Sequence, residues 1–78
     1  MLAGLVVGSV ASGATTTNIP TNLTEATNDH YNGRYITFIT GFLAGQSSDI
    51  TDYAGGPKEL IVTALTEAPN IGDLFVIS

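Results

Sequence analysis

Residues 29–41, DHYNGRYITFITG, hold the chain's single histidine, one of its two basic residues and two of its three tyrosines. A carboxylate beside an imidazole can orient the ring as a general base, so Asp29 and His30 are the first candidates for catalysis. A base needs a nucleophile to activate. The serines, at positions 9, 12, 47, 48 and 78, lie in no nucleophile elbow. The pair therefore reads as a turn-facing histidine ahead of a strand, and the chain as non-enzymatic, with no catalytic residue assigned. Asp49 and Asp52 stand three apart. Calcium takes about six to eight oxygen ligands, usually from a dense Asp/Asn/Gly loop, and none is present. On a regular strand the two would point to opposite faces. They read as solvated carboxylates that Arg34 or Lys58 could meet at a subunit contact. One histidine and no cysteine argue against structural zinc. Neither a GxxxxGK[ST] nor a GxGxxG run occurs, so no phosphate-bearing cofactor is read either. The expectation is no metal and no cofactor.

The remaining chemistry is aromatic. Tyr31, Tyr35 and Tyr53, with Asp and Asn nearby, would suit stacking on sugar rings if all three were exposed. A carbohydrate- or host-surface-binding module is thus the alternative to a purely structural role.

What must position these residues is a single domain, because 78 residues suffice for one and no more. A chain this short buries only about 60% of its unfolded surface, and such domains usually gain support from disulfides, a metal or oligomerisation. With the first two disfavoured, oligomerisation is expected. Seven acidic residues against two basic ones give a net charge of −5. A nucleic-acid binder needs a basic footprint and an anionic membrane attracts one, so neither partner is expected. Charged residues make up 12% of the chain, about half the usual share. Solvation falls to Thr, Ser, Asn and Gly, and the eleven threonines favour a pleated, half-exposed surface. The opening MLAGLVVGSVASGA has small residues near a possible cleavage point. It lacks a basic start and its apolar run is broken by Gly4, so it reads as a strand and not as a secretory leader.

Five or six short strands are predicted. LVVGSVA (5–11) has Gly8 at a bend or bulge, and ATTTNI (14–19), ended by Pro20, could pair with it as a hairpin. A polar loop over 21–30 leads to the Asn32-Gly33 turn. RYITFIT (34–40) follows, with Ile36 and Phe38 on one face and Tyr35, Thr37 and Ile39 on the other. SDITDY (48–53), ELIVTAL (59–65) and LFVI (74–77) complete the set. Pro57 followed by Leu60, Ile61, Ala64 and Leu65 also fits a helix, but the Val-Thr content and flanking turns favour a strand. Turn signals about every 8–12 residues describe a meander, hence a small antiparallel barrel or sandwich.

The apolar residues exceed what one inner face needs. ELIVTAL and LFVI are apolar on both faces, while Phe42 and Ile71 fall in turns, where polar residues belong. Either a compact barrel covers both faces, or one face is an interface between chains. The apolar turns favour the interface.

The order YNGRYITFITG, LAGQSSDITDYAG, PKELIVTALTEAPNIGDLFVI resembles a short β-rich module of tailed-bacteriophage structural proteins. The matching features are Tyr31-Asn32-Gly33, Ile36 to Ile39, Ala44-Gly45-Gln46, Ile50 to Gly55, Val62-Thr63 and Phe75 to Ile77. They are turn and core positions, so the resemblance implies a fold and no catalytic residues. It further implies a virion part, a tail-fibre or head-surface module, commonly trimeric. Phe42, Ile61, Ile71 and Leu74 depart from the pattern, which has smaller or polar residues there. These four are expected to form a contact patch, natural or introduced by engineering, that drives self-assembly.

Overall fold

Strand-forming segments alternate with Gly, Pro and Asn turns, and no helix forms among the described residues. The computed structural model describes residues 5–78 and has six strands. They are β1 (Val6–Ser9), β2 (Asn18–Pro20), β3 (Tyr35–Phe38), β4 (Ser47–Ala54), β5 (Glu59–Val62) and β6 (Leu74–Ile77). All pair antiparallel, in the order β1-β6-β3-β4-β5-β2. The chain adopts the expected all-β class, with six strands where five or six were expected. The residues 57–68 that also fitted a helix contribute β5, held between β4 and β2. Residues 1–4 of the leader-like opening lie outside the described residues.

The sheet curls until its two end strands meet. Val10 and Thr21 form an antiparallel bridge. The Ala11 amide donates to the Pro20 carbonyl (2.8 Å), and the Asn22 amide to the Ser9 carbonyl (3.1 Å). The Asn22 side chain completes the seam by accepting the Ser9 amide through Oδ1 (2.8 Å). The expected hairpin of the first two strands is therefore reduced to this short seam. Their main partners are β6 and β5. The expected meander also holds only for β3-β4-β5, because β6 inserts between β1 and β3.

Two local features depart from simple alternation. Gly8 is not at a bulge, since β1 runs in unbroken register with β6 and Gly8 faces Phe75. Its lack of a side chain makes room for that ring: a Cβ there would stand 2.7 Å from Phe75 Cζ and 3.0 Å from Leu23 Cδ2. The bulge falls instead in β4, where Ile50 pairs with Val62 and Asp52 with Ile61, leaving Thr51 as the extra residue. The extra residue flips the alternation, so Ile50 and Tyr53 both point inward while Asp49 and Asp52 are both exposed. Period-2 reasoning had put each pair on opposite faces.

The inward residues make one core, with Ile19, Ile36, Phe38, Ile50, Tyr53, Leu60, Phe75 and Ile77 as its largest sealed members. Sealing each such side chain contributes roughly 1.5–3 kcal/mol. No buried side-chain polar atom among the described residues lacks a hydrogen-bond partner. The interior is thus complete within one chain, and what remains apolar lies outside it.

Candidate functional site

Cross-strand register decides which side chains share the outer surface. Val7 pairs with Val76, and Val76 with Thr37; Ser9 pairs with Leu74. The Ile39 amide donates to the Leu74 carbonyl (2.8 Å) and the Tyr35 amide to the Ser78 carbonyl (3.2 Å), which extends the rows at both ends. The outward positions of β1, β6 and β3 are therefore Val7 and Ser9, then Leu74, Val76 and Ser78, then Tyr35, Thr37 and Ile39. None of these is an Asp, Glu, Lys, Arg or His.

Two loops extend this face at one end. Residues 39–46 close the β3–β4 hairpin: the Gly45 amide donates to Phe38 O (2.8 Å) and the Phe38 amide to Gln46 O (3.0 Å). Gln46 also ties the hairpin to the segment after β5, donating to Thr66 Oγ1 (3.0 Å) and accepting the Thr66 amide (3.0 Å). Leu43 turns inward and Phe42 outward. The second loop, residues 69–73, is stiffened by Asp73, whose Oδ2 accepts the Asn70 amide (2.9 Å). It lies against the first, because the Leu74 amide donates to Thr40 Oγ1 (2.9 Å) and a Cβ on Gly41 would collide with the Asp73 carboxylate. Gly41 has φ 83°, a conformation that L side chains rarely adopt. Phe42 and Ile71 thus project from adjacent loops, 82% and 72% exposed, and Val7 is 65% exposed.

Of the four residues expected to form a contact patch, the structure brings Phe42, Ile71 and Leu74 to this end of the molecule. Ile61 is elsewhere. It sits on β5, paired with Asn18 on one side and Asp52 on the other, and is half-buried. β3 and β4 separate it from β6. In its place the face contains Leu5, Val7 and Ile39, all substantially exposed. Strict alternation along LVVGS would have found Val7 had Gly8 been read as a regular ladder residue.

The tyrosines do not form a stacking platform. Tyr31 is 4% and Tyr53 1% exposed, and their rings meet edge to face at 4.8 Å. The Tyr53 hydroxyl donates to the Glu25 carbonyl (2.6 Å). Burial pushes both phenols above the usual tyrosine range. Only Tyr35 is exposed. The sugar-binding expectation needed all three at the surface; the β4 bulge turned Tyr53 inward, and the edge-to-face contact with Tyr53 holds Tyr31 in the core beside it.

Asp29 and His30 do not orient one another. His30 Nε2 lies 3.7 Å from Glu25 Oε1, and the ring stands edge-on to Tyr31 at 4.8 Å. Asp29, at φ 64°, anchors its loop to the bulged strand by donating its amide to Tyr53 O (2.9 Å). That contact brings two carboxyls together. A hydrogen bond to Asp52 raises the Asp29 carboxyl above the ordinary aspartate range; burial and the Asp52 charge add to the rise, and a hydrogen bond with Asn32 opposes it. Among the described residues Arg34 forms no ion pair with a carboxylate. Its guanidinium lies 5.7 Å from the Tyr31 ring centre and donates to the Ile77 carbonyl at 3.4 Å. Lys58 Nζ donates to the Gly56 carbonyl at 3.4 Å. The Asp29–His30 stretch is a structural corner, with the Gly33 amide fastened to Ile50 O (2.9 Å).

No group of three or more His, Cys, Asp or Glu side chains among the described residues is placed to hold a metal ion. The chain matches no protein-family model, no curated protein and no solved structure.

Proposed function

We propose that this protein is a non-enzymatic structural module that assembles with copies of itself through the outer face of β1, β6 and β3. One observation carries the reading. Every large apolar side chain that is exposed among the described residues, Leu5, Val7, Tyr35, Ile39, Phe42, Ile71 and Leu74, belongs to this face or to its loops. A chain with a sealed core has no need of such a patch for its own folding, and contiguous apolar surface is the usual mark of a protein contact. Electrostatics favours the same partner. Each copy carries a net charge of −5, yet the outward positions of these three strands hold no Asp or Glu side chain, so copies can approach here with little like-charge repulsion. The resemblance to tailed-phage modules adds a setting, a virion part, and a number, three copies around an axis.

Light scattering across a dilution series tests the reading. The wild type is expected at a multiple of the monomer mass, and an Ile71→Asn, Leu74→Thr double variant at a smaller mass with its circular dichroism retained. An unchanged assembly in the double variant, or a wild type that stays monomeric at every concentration, rejects it.

A further inference from the structure

The seam that closes the sheet does not run the length of β1, and the uncovered part has a defined hydrogen-bonding pattern. Residues of a strand in an antiparallel sheet send their backbone groups alternately to either side. The Val10 amide donates to Asp73 O (2.9 Å), so Val6, Gly8 and Val10 turn their groups toward β6. Leu5, Val7, Ser9 and Ala11 turn theirs to the opposite edge. Ser9 and Ala11 are engaged there by Asn22 and Pro20. Past Asn22 the chain leaves the seam, and the backbone groups of Leu5 and Val7 on this side have no hydrogen-bond partner among the described residues.

Natural sheets protect such edges with a charge, a proline, a bulge or a covering loop. The stretch LVVGS has no charge, no proline and a regular register. Its outward side chains, Leu5 and Val7, are apolar and exposed. Building on the self-assembly reading, we infer that this edge pairs antiparallel with the same edge of a second copy, a two-fold contact distinct from that of the apolar loops. The free residues set the register. Leu5 of each copy lies opposite Val7 of the other, with Val6 on the two-fold axis, so the unpaired groups of both copies are used and the Ser9–Asn22 seam is left intact. The outer faces of the two sheets then join edge to edge, and Leu5 and Val7 pack across the junction. A self-complementary strand is the simplest isologous interface, since one surface serves both partners.

Two variants test this. Val7→Pro removes an amide hydrogen that no bond among the described residues uses, and proline is tolerated at a free edge. The monomer fold should persist by circular dichroism, while the dissociation constant from sedimentation equilibrium should rise at least about tenfold. The second test is register-specific. Leu5→Cys and Val7→Cys chains, mixed and mildly oxidised, should give the mixed disulfide in high yield. Either chain alone should give little, because like positions would lie two residues out of register, too far for a disulfide. Equal cross-linking of mixed and single samples overturns the register. Wild-type association retained in a folded Val7→Pro overturns the edge pairing and leaves assembly through the loops standing. A wild type that never associates removes both.

Discussion

The two halves of the curled sheet are built on the same inside and differ on the outside. β1, β6 and β3 present Val7, Leu74, Val76, Tyr35 and Ile39 outward, with Phe42 and Ile71 on the loops at their end. β4 and β5 present Asp49, Thr51, Asp52 and Glu59, with the half-buried Ile61 as the apolar exception. Thr51 Oγ1 and Ser48 Oγ donate to the Ile61 and Thr63 carbonyls, so even the hydroxyls of this half bond to its own backbone. Strand propensity does not separate the halves, since Thr, Val, Ile and Tyr all suit a pleat. The difference is in solvation: one half ends in polar side chains and the other leaves large apolar side chains exposed.

Several substitutions would break or sharpen that contrast. Phe75 is sealed and edge-on to Phe38, with ring centres 6.2 Å apart. Phe75→Ala should cost about 3–5 kcal/mol in denaturant unfolding, removing the support under the apolar half and so its assembly. Gly41→Ala places a Cβ in a left-handed conformation against the Asp73 carboxylate. A loss of about 1–3 kcal/mol is expected, together with a shift of the loop that displays Phe42. Asn22→Ala deletes the side-chain half of the Ser9 pair and should cost about 1 kcal/mol. Ile39→Thr and Leu74→Thr should move monomer stability by no more than about 0.5 kcal/mol while lowering the assembled mass. The same size of change at Thr51 or Thr63, on the polar half, should leave the mass alone.

The smallest effect concerns pH. The folded-state value of Asp29 lies above its unfolded value, so the folded state binds the extra proton. The resulting stabilisation is fully present below the ordinary aspartate value, about 3.9, and is lost as pH rises through the raised folded value. Glu25 runs the other way: hydrogen bonds from Thr27 lower its carboxyl, and that contribution is lost on acidification. Asp29→Asn isolates the first effect and suits the positive φ at this position. Its melting temperature should exceed that of the wild type slightly at neutral pH, and the difference should shrink toward pH 4. A constant difference would mean that the Asp52 contact contributes nothing.

Much of the fold could be read from the residues alone. Alternation put Ile36 and Phe38 on one face and Tyr35 and Ile39 on the other, and β3, being regular, keeps that split with the first pair buried and the second exposed. The turn residues marked five of the six strands to within three residues of their bounds; β2 forms only from Asn18, since Thr15–Thr17 bend sharply before it. The failures share a cause. A bulge, a glycine under an aromatic ring and a seam between end strands are long-range features, set by partners that local pattern does not contain. Thr51 looks like any strand threonine until β5 is placed beside it. Tyr31, in a loop, is buried because Tyr53, twenty-two positions later, has been turned inward. The same limit held for the contact patch, where Phe42, Ile71 and Leu74 come to one end through loop packing and Ile61 stays behind on β5.

The seam residue Asn22 has a consequence for how this chain would behave if it were secreted from a eukaryotic cell. It is exposed, stands next to the open end of β1, and begins the triplet Asn-Leu-Thr. That is the acceptor pattern for N-linked sugars. A eukaryotic secretory pathway would attach a glycan at Nδ2, leaving Oδ1 free for Ser9 but setting a bulky, hydrated chain beside the strand edge. The glycosylated product should fold as before and sediment as a smaller particle than the same chain made in bacteria.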